Sequence, residues 1–169
     1  EFTSTSTPST SPTPAAPVSQ PVWFPANTYY VGTNGDDQNP GTEQQPWRSL
    51  RKAARSVHPG DVVYVKQGVY GGFVELFRSG TVQQPIAFRS YEDDVIVTYP
   101  EGGPGHQGYG PVVGFRSVEH VQWTGFTIEG ARGNPGEPPN TSFMEVGILV
   151  RGGGDGVIIS GNDIFGHAH

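Results

Sequence analysis

The stretch Tyr29–Tyr70, YYVGTNGDDQNPGTEQQPWRSLRKAARSVHPGDVVYVKQGVY, decides the fold. It reads as a short strand, a turn-rich loop, one helix and a second strand. Thr28-Tyr29-Tyr30-Val31 has strand composition. The loop Gly32 to Thr42 is dense in Gly, Asn, Asp and Pro, each a turn former for its own reason. Asp36, Asp37 and Asn39 offer oxygens suited to Ca²⁺, but without the alternating ligand spacing of a calcium hand. Asx side chains bonding to nearby backbone explain the same composition, and that reading is favoured. The helix is predicted over Pro46–Val57, with Pro46 at its first position. Trp47, Leu50, Ala54 and Val57 share one apolar face, while Arg48, Arg51, Lys52 and Arg55 lie mostly off it. His58-Pro59-Gly60 stops the helix.

Beyond Asp61 the hydrophobic period changes to two. Val63-Tyr64-Val65-Lys66, Ile86-Ala87-Phe88-Arg89, Val113-Gly114-Phe115-Arg116 and Ile148-Leu149-Val150-Arg151 share one pattern. In each, the first and third residues point inward, and the second residue and the final cation point out. A further apolar strand follows each of the last three cations, at Val95, Val121 and Val157. Acidic residues sit in the turns between: Asp93 and Asp94, Glu119, Asp155. EHVQWTGFTIEG at 119–130 aligns without a gap on DGVIISGNDIFG at 155–166, an offset of 36. Ala131–Phe143 is expected to be a loop thrown out of the stack. Self-similarity at a fixed period marks a repeat architecture whose units bury their faces against neighbours. A helix cannot host these short, Gly-punctuated alternating runs. The expectation is an all-β parallel solenoid over residues 22–169, with 46–57 as an N-terminal capping helix. A flat antiparallel sandwich is the structural alternative.

Composition agrees with this. The chain of 169 residues carries 25 Gly and 16 Pro against 34% hydrophobic residues, which favours turns and short strands. A net charge of −6 argues against generic nucleic-acid binding. The absence of cysteine excludes disulfides and thiolate metal sites. No apolar run approaches the roughly 18 residues that a membrane-spanning helix needs. Residues 1–21 form a Ser/Thr/Pro-rich linker or stalk that has little to bury and stays extended. Such tracts also suit O-glycosylation, and Asn140-Thr141-Ser142 fits the N-glycosylation pattern. The Ser/Thr/Pro-rich tract implies export, so the protein is expected outside the cell, secreted or on its surface.

The pieces YYV, NGDDQNPGT, PW, LRKAARSVHPGD and VVYVKQGVY resemble the N-terminal region of pectate-lyase-like right-handed parallel β-helix proteins. The likeness is greatest to family 9 polysaccharide lyases and related chondroitinase- or alginate-lyase-like proteins. It extends over about residues 28–169 and implies three parallel strands per coil, with substrate along the outside of the first sheet. Asn162 resembles the family's internal asparagine-ladder position, although Phe126 stands at the matching place one coil earlier. The resemblance also implies calcium as a bridge to an acidic polysaccharide such as pectate, with a Lys or Arg as base.

Lys66, Arg89, Arg116 and Arg151 are the candidate substrate-binding residues. On equivalent strands they would stack about 4.8 Å apart. Like charges so spaced repel by about 1 kcal/mol per neighbour at a surface, which calls for an anionic partner. The acidic turn residues could supply it as ordinary surface ion pairs, each worth little. A polyuronate could equally supply it, with Arg holding each carboxylate through two parallel bonds. β-Elimination needs a base for the proton α to a carboxyl group and a cation for the developing enolate. The chain has only Lys52 and Lys66 as lysines, neither beside a group of three or four acids, so no catalytic residue is assigned. Glu92-Asp93-Asp94 reads as a solvated turn, and His167 with His169 as a frayed end. The functional expectation is a polysaccharide-lyase-like module that binds or cleaves an acidic polysaccharide. The alternative is a non-catalytic extracellular subunit that assembles end to end into a fibre through an open C-terminal end.

Overall fold

The computed structural model describes residues 23–98, 110–129 and 145–165. The linker, the loop at Ala131–Phe143, Asn140 and the terminal histidines all lie outside these residues. The described residues form twelve strands and one helix: β1 Thr28–Val31, α1 Leu50–Ser56, β2 Val62–Val65, β3 Gly68–Gly71, β4 Val74–Leu76, β5 Ile86–Ser90 and β6 Val95–Thr98. They continue as β7 Gly110–Arg116, β8 Val121–Thr124, β9 Thr127–Glu129, β10 Glu145–Arg151, β11 Ile158–Ser160 and β12 Asp163–Phe165. They form three sheets in which every pairing is parallel: β1-β2-β5-β8-β11 (sheet A), β3-β6-β9-β12 (sheet B) and β4-β7-β10 (sheet C). From β2 onward the chain visits A, B and C in turn and returns to A one strand further along. This is a right-handed parallel β-helix of about three turns with one short helix. Parallel pairing throughout excludes the antiparallel sandwich.

Short alternating strands suit this arrangement because each sheet has one face inside and one outside. Val63, Phe88 and Trp123 are successive partners on the inner face of sheet A and are fully buried. Tyr70, Val97 and Ile128 do the same in sheet B, and Leu76 with Phe115 in sheet C. Trp123 lies between Phe88 and Phe126, with ring centroids at 5.4 and 4.2 Å, and meets Phe115 edge-on at 6.3 Å. This stack fixes which way each strand faces, since a slip of one residue would turn an aromatic ring out into water.

Register sets the coil lengths. Val62 pairs with Ala87, Ala87 with Gln122, and Gln122 with Ile158, giving successive coils of 25, 35 and 36 residues. The predicted offset of 36 between the last two units is therefore the true coil repeat. Gly125 and Gly161, matched by that offset, both adopt positive φ at the bend from sheet A to sheet B. A Cβ on Gly125 would collide with Ser90 Oγ. Asn162 stitches this bend to the coil before it: its Oδ1 accepts the Phe126 N–H at 2.9 Å and its Nδ2 donates to the Trp123 carbonyl at 3.1 Å.

The N-terminal cap differs in detail from the predicted helix. α1 begins at Leu50, with Ser49 as its N-cap accepting from the Lys52 N–H, and not at Pro46. Trp47 instead forms a parallel bridge with Val31 and adds a rung beneath β1. Its ring stacks on Tyr29 at 4.5 Å, and its indole N–H donates to the Asn39 carbonyl. The predicted apolar set still faces the core: Trp47, Leu50, Ala54 and Val57 are all buried, joined by Ala53. The helix is short because Asp37 takes the amides just ahead of it. Asp37 Oδ1 accepts from the N–H groups of Arg48 and Ser49.

Candidate functional site

The four candidate cations do not form one ladder. β2 and β5 belong to sheet A, whereas β7 and β10 belong to sheet C, so Lys66 and Arg89 face a different direction from Arg116 and Arg151. Lys66 and Arg89 are not even register partners, since Tyr64 stands opposite Arg89. The local pattern of strand, cation and turn recurs at two different corners of the coil, which is why the strands look equivalent in sequence.

On sheet A both cations are engaged. The Lys66 ammonium donates to the Glu43 carbonyl at 2.8 Å and lies 5.8 Å from the centre of the Tyr30 ring. Arg89 donates from Nη2 to Gln122 Oε1 at 3.2 Å, with its guanidinium 5.9 Å from the Trp23 ring centre. Among the described contacts the expected acidic compensators are not their partners. Asp94 accepts a long 3.4 Å bond from Gln67, while Glu119 and Asp155 enter the turns through their backbone carbonyls.

On sheet C, Arg116 and Arg151 are direct partners across β7 and β10. Strand spacing brings their backbones about 4.8 Å apart. Arg116 forms an ion pair with Glu75 at 3.6 Å, and its side chain remains 71% exposed. Glu75 therefore answers Arg116 from β4, two strands from Arg151. Alternation along FVELF at 73–77 turns Val74 and Leu76 inward and Phe73, Glu75 and Phe77 outward. The Phe73 ring lies against Gly114, at 3.1 Å from where a Cβ would stand. Phe77 is 46% exposed. Among the described side chains, this face carries the guanidinium groups of Arg116 and Arg151, the Glu75 carboxylate and the rings of Phe73 and Phe77. Neither Phe73 nor Phe77 is singled out by the strand-plus-cation pattern, because no cation follows β4 directly. The alternation within FVELF is the signal that finds them.

Such a face can hold an extended anionic chain by charge and ring contact. It has no lysine, since Lys66 is on sheet A and the Lys52 ammonium lies 5.8 Å from the Trp47 ring centre at the cap. Among the described residues no group of three or more His, Asp or Glu is placed to hold a metal ion. In the loop of Asp36, Asp37 and Asn39 the polar side chains serve the chain itself. Asp36 accepts from the Gln38 N–H, Asn39 donates to the Pro46 carbonyl, and Asp37 holds the start of α1. Among the described residues no helix is long and apolar enough to cross a membrane.

Comparison with known proteins agrees with the fold. Residues 33–75 match the family model described as a protein of unknown function, DUF1565. An uncharacterized protein of Bacillus subtilis (strain 168), YwoF, is 30% identical over 137 residues, which is 81% of this chain and 28% of that protein. Pectate lyase PEL9 of Emericella nidulans is 30% identical over 78 residues, 45% of this chain and 19% of the lyase. The solved structure of a GH136 lacto-N-biosidase from Eubacterium ramulus superimposes with a TM-score of 0.61 at 24% identity, covering 73% of this chain and 24% of that one. The chain thus spans less than a third of the length of the proteins it resembles. These likenesses support a pectate-lyase-like parallel β-helix.

Proposed function

We propose that the chain is the substrate-holding part of a polysaccharide-lyase-like β-helix protein, and that it binds an acidic polysaccharide along the outer face of sheet C. The in-register pair Arg116 and Arg151 carries this reading. Two guanidinium groups one strand apart repel by about 1 kcal/mol at a surface unless an anion lies across them. Glu75 answers one of them. A polyuronate carboxylate answers the other, with two parallel bonds that a lysine could not form. Phe73 and Phe77 flank the charges and offer the apolar faces of pyranose rings something to pack on. The sequence likeness to a pectate lyase supports an acidic polysaccharide such as pectate as the ligand class. The two arginines are read here as carboxylate holders, and the role proposed for the face is binding.

The test is electrophoresis of the native protein through gels containing polygalacturonate, alginate or chondroitin sulfate. The wild type is expected to be retarded by at least one of them, with retardation falling as salt is raised. Replacing Arg116 and Arg151 together by Ala should abolish it while leaving Tm within a degree or two. Retardation unchanged in the double variant, or absent from all three polymers in the wild type, overturns the proposal.

A further inference from the structure

A second row of side chains runs along the outside of sheet A, facing away from the sheet C site. Tyr30 of β1, Tyr64 of β2, Arg89 of β5, Thr124 of β8 and Ser160 of β11 are consecutive register partners. Their inward neighbours Val63, Phe88 and Trp123 are fully buried, so the row itself points out. Tyr91, just past β5, joins its aromatic end. The Tyr30 and Tyr64 ring centres are 5.8 Å apart. Tyr91 stands at 86° to Tyr30 and at 65° to Tyr64, with centres 5.5 and 5.6 Å away. The three rings therefore make a corner and not a flat stack. Tyr91 is 43% exposed, and Tyr30 and Tyr64 are half-buried.

We infer that this row is a saccharide-binding surface for a neutral polysaccharide, separate from the acidic-polysaccharide face of sheet C. Tyrosine rings pack on the C–H faces of pyranoses while their hydroxyls stay available for hydrogen bonds. Beyond the rings the row offers a guanidinium and two hydroxyls, with Thr124 Oγ1 and Ser160 Oγ 3.3 Å apart. Successive side chains rise by about 4.8 Å, close to the length of one sugar residue in an extended chain. The charged groups in and beside the row are already engaged within the chain. Lys66 is tied to the Glu43 carbonyl and the Tyr30 ring, and Arg89 already donates to Gln122. The Glu43 carboxylate accepts the Tyr91 hydroxyl at 3.2 Å. That bond, with the charge of Glu43 behind it, raises the Tyr91 pKa. A polyuronate would have to draw Lys66 and Arg89 from these bonds and would meet Glu43 as a like charge, whereas a neutral glycan meets donors, acceptors and rings without displacing them.

The inference does not depend on the sheet C reading, and one experiment separates them. The intact chain is run through gels containing a neutral glycan (xyloglucan, galactan, galactomannan or mixed-linkage β-glucan) and, in parallel, polygalacturonate. Retardation by at least one neutral glycan is expected, with an apparent affinity at least tenfold weaker in Tyr64→Ala and in Tyr91→Ala. Tyr64→Phe keeps the ring and should keep most of the retardation, and thermal unfolding of each variant identifies any loss caused by unfolding. The polygalacturonate lanes report on sheet C alone. Absence of retardation by every neutral glycan, or retardation unchanged when Tyr64 and Tyr91 are both replaced by Ala in a folded variant, overturns the inference.

Discussion

Replacing Asp37 by Ala tests how the cap is held. Its carboxylate accepts the N–H groups of Arg48 and Ser49, both at 2.9 Å, and the Ser49 hydroxyl at 2.7 Å. Ser49 Oγ in turn accepts the Lys52 N–H at 3.1 Å, so one side chain fastens the loop to the first turn of α1. A hydrogen bond to a charged group contributes about 1.5–3 kcal/mol when buried, and Asp37 is only half-buried. Discounting for solvent, the set contributes about 2–3 kcal/mol. In a chain of this size that lowers Tm by about 4–12 °C. Asp37→Asn keeps an acceptor for both amides and should lose about half as much. Burial pushes the Asp37 pKa up, but the bonds from Ser49 and Arg48 and the charge of Lys52 outweigh it and leave the carboxyl below its ordinary value of 3.8. A depressed folded-state pKa means that the contribution is complete above the unfolded value and is lost as pH falls through the folded one. The Tm gap between wild type and Asp37→Ala should therefore be constant near neutrality and close in strong acid. Circular dichroism melts across that range, with and without a calcium chelator, measure it. An unchanged Tm would refute the reasoning, as would a loss that disappears when calcium is chelated, which would make the loop an ion site.

Tyr70→Phe removes a hydroxyl that donates to the Lys66 carbonyl at 2.7 Å, at a cost of about 1 kcal/mol in urea unfolding. Burial is the main cause that raises the Tyr70 pKa to about 12, so its stabilising share is present below pH 10 and is lost as pH rises through 12. The variant should flatten that alkaline decline, and a decline of the same slope would count against Tyr70 as its source. Asn162→Ala should cost about 1–2 kcal/mol through its two backbone bonds and speed hydrogen exchange at the Phe126 amide, which it caps directly. Unaltered protection of that amide would mean that Asn162 does not hold the bend.

The fold was legible in the sequence because its two signals are local. Strand alternation reports which side chains face the core, and the 36-residue match from Val121 to Ile164 coincides with the register of β8 with β11 and β9 with β12. The site was less legible because grouping cations requires knowing which sheet each strand joins, and that depends on coil length. The first coil is 25 residues and the next two are 35 and 36, so a pattern recurring at Lys66, Arg89, Arg116 and Arg151 passes through two corners of the helix. Trp47 misled for a related reason. An apolar residue three positions before Leu50 fits a helix face, and it equally fits a bridge strand entering the same core. Asp37 decides between them, eleven residues before Arg48, at a separation that short-range periodicity does not sample.

A solenoid can carry unlike surfaces on one short chain because its inner and outer rows answer to different constraints. The inner row must fill the core: exchanging Trp123 would disturb its contacts with Phe88, Phe126 and Phe115 together. Each outer row is bound only by the spacing of its strands, and the rows of different sheets face different directions. Tyrosine and hydroxyl groups on sheet A and arginines on sheet C can therefore change independently under one packed interior. Mutations in the two rows share no partner among the described contacts, so their effects on binding and stability should add. Coupling between Tyr64→Ala and Arg116→Ala would mean instead that one ligand wraps around the coil and touches both faces.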